Sequence, residues 1–258
     1  MIKCEKIPLN IKKYFKYCPA DYMISSIISE EIPEFIYVNN LENPTIFIVL
    51  CHYNIYVDGV GEPDEIKEAI KHFRELIFKE TGRDLIEARF LYPNEKWKNN
   101  IINALGENNC DVGSRTVYRY DSDELLELTC KNVYPISPEI MKNENITNKE
   151  MIIDEVGNID NFFKKGFGCC VIINDKISGF CTAEYVSENM CGIGIAVIPE
   201  EREKGYASIM TQYFINMCIE RKIIPYWDCW TDNIGSMKTA QKTNFTKVND
   251  YGVIVIKS

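Results

Sequence analysis

A chain of 258 residues, 46% hydrophobic and 12% aromatic, is long enough for one large domain or two ordinary ones with well-filled cores. Its net charge of −9, with Lys and Arg scattered along the chain, argues against a nucleic-acid-binding surface and suits a cationic partner or substrate. No apolar run approaches the roughly 20 residues that cross a bilayer, and MIKCEKIPLNIKKYFKY lacks the apolar centre of a signal peptide, so a cytoplasmic protein without membrane contact is expected.

The eleven cysteines have an odd count and no CxxC spacing. The two histidines, His52 and His72, stand away from any cysteine cluster except the Cys51-His52 neighbours, so no metal site is expected. Cys169, Cys170, Cys181, Cys191, Cys218 and Cys229 lie in apolar or strand-like stretches and read as buried, reduced thiols. Neighbours on a strand point to opposite faces, which argues against Cys51 and His52 as nucleophile and base.

In the first half, PTIFIVLCHYNIYVDG (44–59) offers two strand-like runs with a break around 52–54. PDEIKEAIKHFRELIFKETG predicts a helix. Pro63 stands near its first position, acids fill its first turn, Ile66, Ile70, Phe73 and Ile77 follow at helical spacing, and Gly82 marks its stop. DLIEARFLYP predicts a strand ending at Pro93. NEKWKNNIINALG predicts a short helix capped by Asn94 with Trp97, Ile101 and Leu105 on one face, and SRTVYRY another strand. No motif here carries recognisable chemistry, and no internal repeat stands out. The polar YDSDE (120–124) marks a seam between an expected domain over 1–120 and a second over 121–258.

Past the seam, SPEIMKNENITNKEMI reads as exposed helix or loop. GCCVIIND and KISGFCTAEYV predict a hairpin turning at Asn174-Asp175, and CGIGIAVIP a third strand stopped by Pro199. GYASIMTQYFINMCIERK predicts a helix with Met210, Tyr213, Phe214, Met217 and Cys218 on one stripe. IIPYWDCW, SMKTAQKTN and DYGVIVI complete the order β-β-β-α-β-α-β.

Between the third strand and its helix lies PEEREKGYAS (199–208). Charged loops are usually solvated connections, but this one places Gly205 and Ala207 where the helix begins. A helix start presents unpaired N–H groups and partial positive charge, which together suit a phosphate or pyrophosphate. Gly205 permits a positive φ or a close approach, and Ala207 leaves the first turn uncovered. No Gly-Lys-Ser/Thr follows, and Gly192-x-Gly194 lacks the third glycine of a dinucleotide fingerprint.

A strand, then Arg202-x-x-Gly205-x-Ala207, then a helix resembles the GNAT superfamily of acyl-CoA-dependent N-acetyltransferases. DNIGSMKTAQKTNF (232–245) is similar to that family's second signature through Asn233, Ser236, Lys242 and Phe245, with Asn244 in place of the usual Gly. GFGCCVI, IPYWDCW and DYGVIVI resemble the branch that holds the zwittermicin A resistance acetyltransferases. The resemblance implies an α/β protein: a C-terminal GNAT fold with a mostly antiparallel central sheet flanked by helices, beside a smaller N-terminal mixed α/β domain. It implies acetyl-CoA as donor, no metal, and the primary amine of a small polar metabolite or antibiotic as acceptor. A protein or peptide acceptor and a non-catalytic acyl-CoA-binding sensor are the alternatives, and a homodimer is compatible with either.

The resemblance also implies roles for particular residues. The backbone of Ile195, Ala196 and Val197 is expected to meet the pantetheine arm, and the loop amides of Arg202, Glu203, Lys204, Gly205, Tyr206 and Ala207 the pyrophosphate. The Arg202 side chain either touches phosphate or stays at the surface. Asn233 is expected either beside the thioester or as the cap of the last helix. Many members carry a proton-donating Tyr where this chain has Ala240, leaving Tyr206, Tyr226 and Tyr251 as replacements, or water or the substrate ammonium as the source of the proton. Asp228 is the first choice for general base and Glu184 the second, against a purely structural Asp228 that satisfies backbone amides.

Overall fold

The computed structural model describes residues 1–5, 11–15, 20–28, 35–51, 54–82, 88–128 and 132–257. The chain divides into two compact units, Met1–Thr116 with Asn249–Ser258, and Val117–Val248.

In the first unit β1 (Ile2–Lys3), β2 (Phe35–Val38), β3 (Ile46–Cys51) and β4 (Asn54–Gly59) pair antiparallel in sequence, with α1 (Ala20–Ile28) between β1 and β2. The helix α2 (Pro63–Thr81) then crosses to β5 (Arg89–Tyr92), which runs parallel to β4. α2 stops where expected: Gly82 is left-handed (φ 67°) and donates its N–H to Phe78 O at 2.8 Å. α3 (Glu95–Leu105) is capped by Asn94, which accepts the Trp97 N–H at 3.2 Å, and β6 (Cys110–Arg119) follows. Ile66, Ile70 and Phe73 of α2 and Trp97 and Ile101 of α3 bury one apolar core against Ile48, Val57 and Phe90 of the sheet. His52 lies outside the described residues.

The second unit takes in the last residues of β6 and goes on through β7 (Val133–Pro135), α4 (Pro138–Lys142), α5 (Glu150–Val156) and α6 (Ile159–Lys165). β8 (Gly168–Ile173), β9 (Lys176–Glu184) and β10 (Met190–Val197) pair antiparallel, and β7 pairs with β8. The β8–β9 turn holds Asn174 at φ 48° and Asp175 at φ 57°, the left-handed pair that a tight hairpin requires. α7 (Tyr206–Arg221) crosses to the parallel β11 (Ile224–Trp230), and α8 (Ile234–Lys242) and β12 (Thr246–Ile256) end the chain. Cys169 and Cys181 pack with Met210 and Phe214 of α7, whereas Cys170 and Phe180 pack with Ile152 of α5 and Phe162 of α6. Strand alternation therefore puts α7 on one face of this sheet and α5 and α6 on the other. Thr211 and Ile215 of α7 are buried as well, so the helix is enclosed on more than the expected stripe.

All cysteines among the described residues are free, and all but Cys4 are buried. Burial pushes the Cys170 thiol up to about 12, so it stays protonated and packs as a small apolar group. Among the described residues no group of His, Cys, Asp or Glu is placed to hold a metal, and no helix is long and apolar enough to cross a membrane.

Two expectations change. The second domain was expected to run to residue 258, but 249–258 belong to the first unit. Gly252 pairs with Tyr92, Val253 with Leu91 and Ile254 with Phe90, and Ile254 and Ile256 enter the α2–α3 core. DYGVIVI is a strand wherever it is read; its partner is a long-range choice made by the open edge of β5. The second change is that the order of elements does repeat. Each unit runs through a short strand, one or more helices, three antiparallel strands, a crossing helix, a parallel strand and a further helix.

Ile254 is fully buried in the first unit. Ile254→Ala should therefore cost about 2–5 kcal/mol, read as a lower urea midpoint; an unchanged midpoint would take residues 249–256 out of this core.

Candidate active site

The site begins where two strands part. The parallel ladder of β10 with β11 joins Met190 to Ile224, Cys191 to Pro225 and Gly192 to Tyr226. β10 runs on to Val197 and β11 to Trp230 outside that ladder, while the other edge of β10 stays paired with β9 as far as Val197–Gly179. Among the described residues, the edge of Ile193–Val197 that faces β11 thus has no strand partner there, and backbone polar groups need one. A cleft of about 830 Å³ opens at this place. Ile195, Ala196 and Val197 line it, together with Arg202, Glu203, Gly205, Tyr206, Ala207, Trp227, Asn233 and Lys238.

The loop above the cleft turns twice through the left-handed region, at Glu203 (φ 64°) and Gly205 (φ 86°). Gly205 is the residue before the first turn of α7, which has no side-chain cap and no acid. The first backbone bond into the helix is Ile209 N–H to Gly205 O at 3.2 Å, so the amides of Tyr206, Ala207 and Ser208 have no intrahelical acceptor. A Cβ on Gly205 would meet nothing within 4 Å, so glycine serves the backbone conformation here and not clearance. Arg202 Nε donates to Val197 O at 3.2 Å and ties the loop to the strand end. Lys204 does not line the cleft; half-exposed, it pairs at 3.0 Å with Glu201, which is mostly buried and does line it.

Asn233 is the cap of α8, its Oδ1 accepting the Ser236 N–H at 3.0 Å, and it also lines the cleft. The Trp227 indole N–H donates to Ser236 Oγ at 2.9 Å, fixing β11 to the first turn of α8. Asn244 is left-handed (φ 65°), and Phe245 packs between Tyr120 and Trp227 at 5.6 and 5.7 Å between ring centres. Ala240 is fully buried in that cluster. Of the candidate tyrosines, Tyr206 lines the cleft, and Tyr251 lies in the first unit. Tyr226 is buried; Asp121 first, and the Tyr226 hydroxyl second, hold the Arg119 guanidinium above its ordinary pKa.

Asp228 and Glu184 do not line the cleft itself. Trp227 and Cys229 pack towards α7 and α8, so alternation turns the half-buried Asp228 to the face of α5 and α6. Glu184 shares that face. Its Oε1 and the Oε1 of Glu155 on α5 each lie 2.5 Å from where a Cβ on Gly194 would stand, with Thr182 Oγ1 at 3.0 Å. Two carboxylates thus converge over a bare glycine of β10, one residue before the part of that strand that lines the cleft.

Sequence reasoning missed Glu155, Trp227 and Lys238. Lys238 lies one helical turn beyond Ile234, the first residue after Asn233 in α8, and helical spacing from that Asn is enough to flag it. Nothing local marks Glu155, which comes to Gly194 from a separate element.

The family model described as GNAT acetyltransferase matches residues 12–254. A curated Bacillus subtilis (strain 168) protein named "Uncharacterized N-acetyltransferase YdfB" is 24% identical over 243 residues, 92% of this chain and 90% of its own length. The crystal structure of a GCN5-related N-acetyltransferase-like protein from Streptococcus suis 89/1591 superposes with a TM-score of 0.70 at 18% identity, over 96% of this chain and 97% of that one. A tandem GNAT protein from the clavulanic acid biosynthesis pathway, solved without acetyl-CoA, has a TM-score of 0.53 at 10% identity, over 92% and 87%. The structural likenesses establish the fold.

Gly205 in the left-handed region makes the loop testable. Acetyl-CoA should raise Tm, and Gly205→Val should abolish that rise while the far-UV spectrum stays native; a rise of wild-type size in the variant would put the anion elsewhere. Asn233→Ala should cost about 1 kcal/mol through the lost cap, and a larger loss of acetyl-CoA affinity than of stability would separate its two roles.

Proposed function

Because the chain belongs to the GNAT acetyltransferase family, we propose that it moves the acetyl group of acetyl-CoA onto the primary amine of a small polar molecule, a metabolite or an antibiotic. One observation carries this reading: an unpartnered strand edge and an uncapped helix start open into the same cleft. The amides of Gly205 to Ser208 suit the pyrophosphate, with the α7 dipole and Lys238 adding positive charge. The backbone of Ile195–Val197 suits the amide groups of the pantetheine arm, as a third strand would. The fit is one of donors, acceptors and room. The motifs shared with the zwittermicin A resistance branch favour a small acceptor over a protein. The name of the tandem relative supports reading both units as copies of one fold.

An ammonium must lose a proton before it attacks a thioester, and the developing oxyanion needs a donor. Amides on the open edge of β10 supply the donor. Asp228 is the base, with Glu184 as its alternate; both stand on the sheet face away from α7, so the acceptor reaches the sheet from the α5–α6 side. Tyr206 is the cleft tyrosine that takes the place of the missing acid at Ala240. Ala240 also favours a second reading, an acyl-CoA sensor without turnover, which release of free thiol with a panel of amines rules in or out.

Asp228→Asn keeps the shape and removes the basicity. Its kcat/KM should fall by about 10²–10⁴ at neutral pH while acetyl-CoA affinity stays within a few fold. The loss should shrink as pH rises and the free amine becomes abundant. An undiminished rate for Asp228→Asn with a loss in Glu184→Gln moves the role to Glu184.

A further inference from the structure

Both units put a helix between two parallel strands at the same point of the series: α2 between β4 and β5, α7 between β10 and β11. Each ladder has three rungs, Asn54–Arg89 to Tyr56–Leu91 in one and Met190–Ile224 to Gly192–Tyr226 in the other. Beyond the last rung β4 continues to Gly59 and β10 to Val197. The chain therefore holds its own comparison, with one architecture written twice. What differs is the chemistry at the start of the helix.

At α7 the first turn is uncapped and carries no acid. At α2 Pro63 occupies the first helical position and has no N–H to offer. The Glu65 carboxylate accepts the Glu62 N–H at 2.7 Å, and Asp64 and Glu65 lay negative charge on the first turn. An anion arriving there meets carboxylates and finds one donor missing and another taken. The end of β4 is closed as well. The Trp97 indole N–H donates to Gly59 O at 3.4 Å, and Lys96 Nζ donates to Gly61 O. Trp97 is 1% exposed, and a Cβ on Gly61 would come within 2.8 Å of the Ile46 side chain, so the connection lies flat on the core. In the second unit the first turn of α8 lines a cleft; in the first, the first turn of α3 seals the place where one would be.

We infer that the N-terminal unit is a second copy of the acyl-CoA-binding architecture whose own side chains fill its anion site, so that the whole chain takes up one acyl-CoA. The inference rests on reading the C-terminal cleft as an acyl-CoA site. The carboxylate of Glu65 occupies the Glu62 N–H and sets negative charge where a pyrophosphate would lie, Pro63 withholds a second donor, and Trp97 closes the end of β4 against α3. The copy is kept as scaffold, with its ligand replaced by residues of the chain.

Calorimetric titration of the full chain with acetyl-CoA should give one site, and Gly205→Val should remove it entirely. Two sites, or one that survives Gly205→Val, overturn the inference. No binding by the unaltered chain overturns the reading of the C-terminal cleft instead, and closure is then judged in the free protein by amide exchange. The Glu62 amide should exchange about tenfold or more slowly than those of Tyr206 to Ser208. Equal exchange at the two helix starts overturns the closure whatever acetyl-CoA does.

Discussion

The early end of the β10–β11 ladder, at Gly192 and Tyr226, is the constraint on which the candidate site depends. A backbone edge left open inside a protein costs free energy until something pairs with it. Here the edge is held open by what surrounds it. β9 keeps β10 straight to Val197, and α7 covers one face of both. Trp227, which lines the cleft, is bonded to Ser236 and packed on Phe245, so β11 is anchored to α8. The arrangement favours an extended ligand with alternating amide donors and acceptors, because only such a chain restores what the ladder lacks.

The protein as a whole is acidic, with a net charge of −9, which at first sight opposes an anionic ligand. Short-range donors decide the matter. Charges farther away than about 8 Å are largely screened at physiological salt, whereas three open amides at a helix start act at hydrogen-bond distance. The global field can then serve the other partner, since a cationic acceptor is drawn to an acidic protein.

The local rules were well written in the sequence. Pro63, Gly82, Asn94, the Asn174-Asp175 turn and the αL corner at Asn244 all act as their chemistry predicts. The 199–208 loop was legible as a turn into a helix because Gly205 takes the left-handed conformation that a side chain would strain. Three things were not legible, and each is a long-range choice. Which sheet edge receives 249–256 depends on β5, more than 150 residues earlier in the chain. The convergence of Glu155 and Glu184 on Gly194 joins a helix to two strands. The repeated order of elements is carried by topology and not by matching residues, because Glu62-Pro63 and Gly205-Tyr206 begin equivalent helices with opposite chemistry.

The placement of the last strand has a consequence for how the chain is made. N-terminal domains generally fold first as a polypeptide leaves the ribosome. Here the first unit needs residues 249–256 to cover β5, so it cannot be completed before those residues are made. Until then Phe90, Leu91 and Tyr92 present an apolar strand with one edge unpaired, the kind of template on which nascent chains aggregate. Residues 249–256 should therefore be the last part of the first unit to become protected.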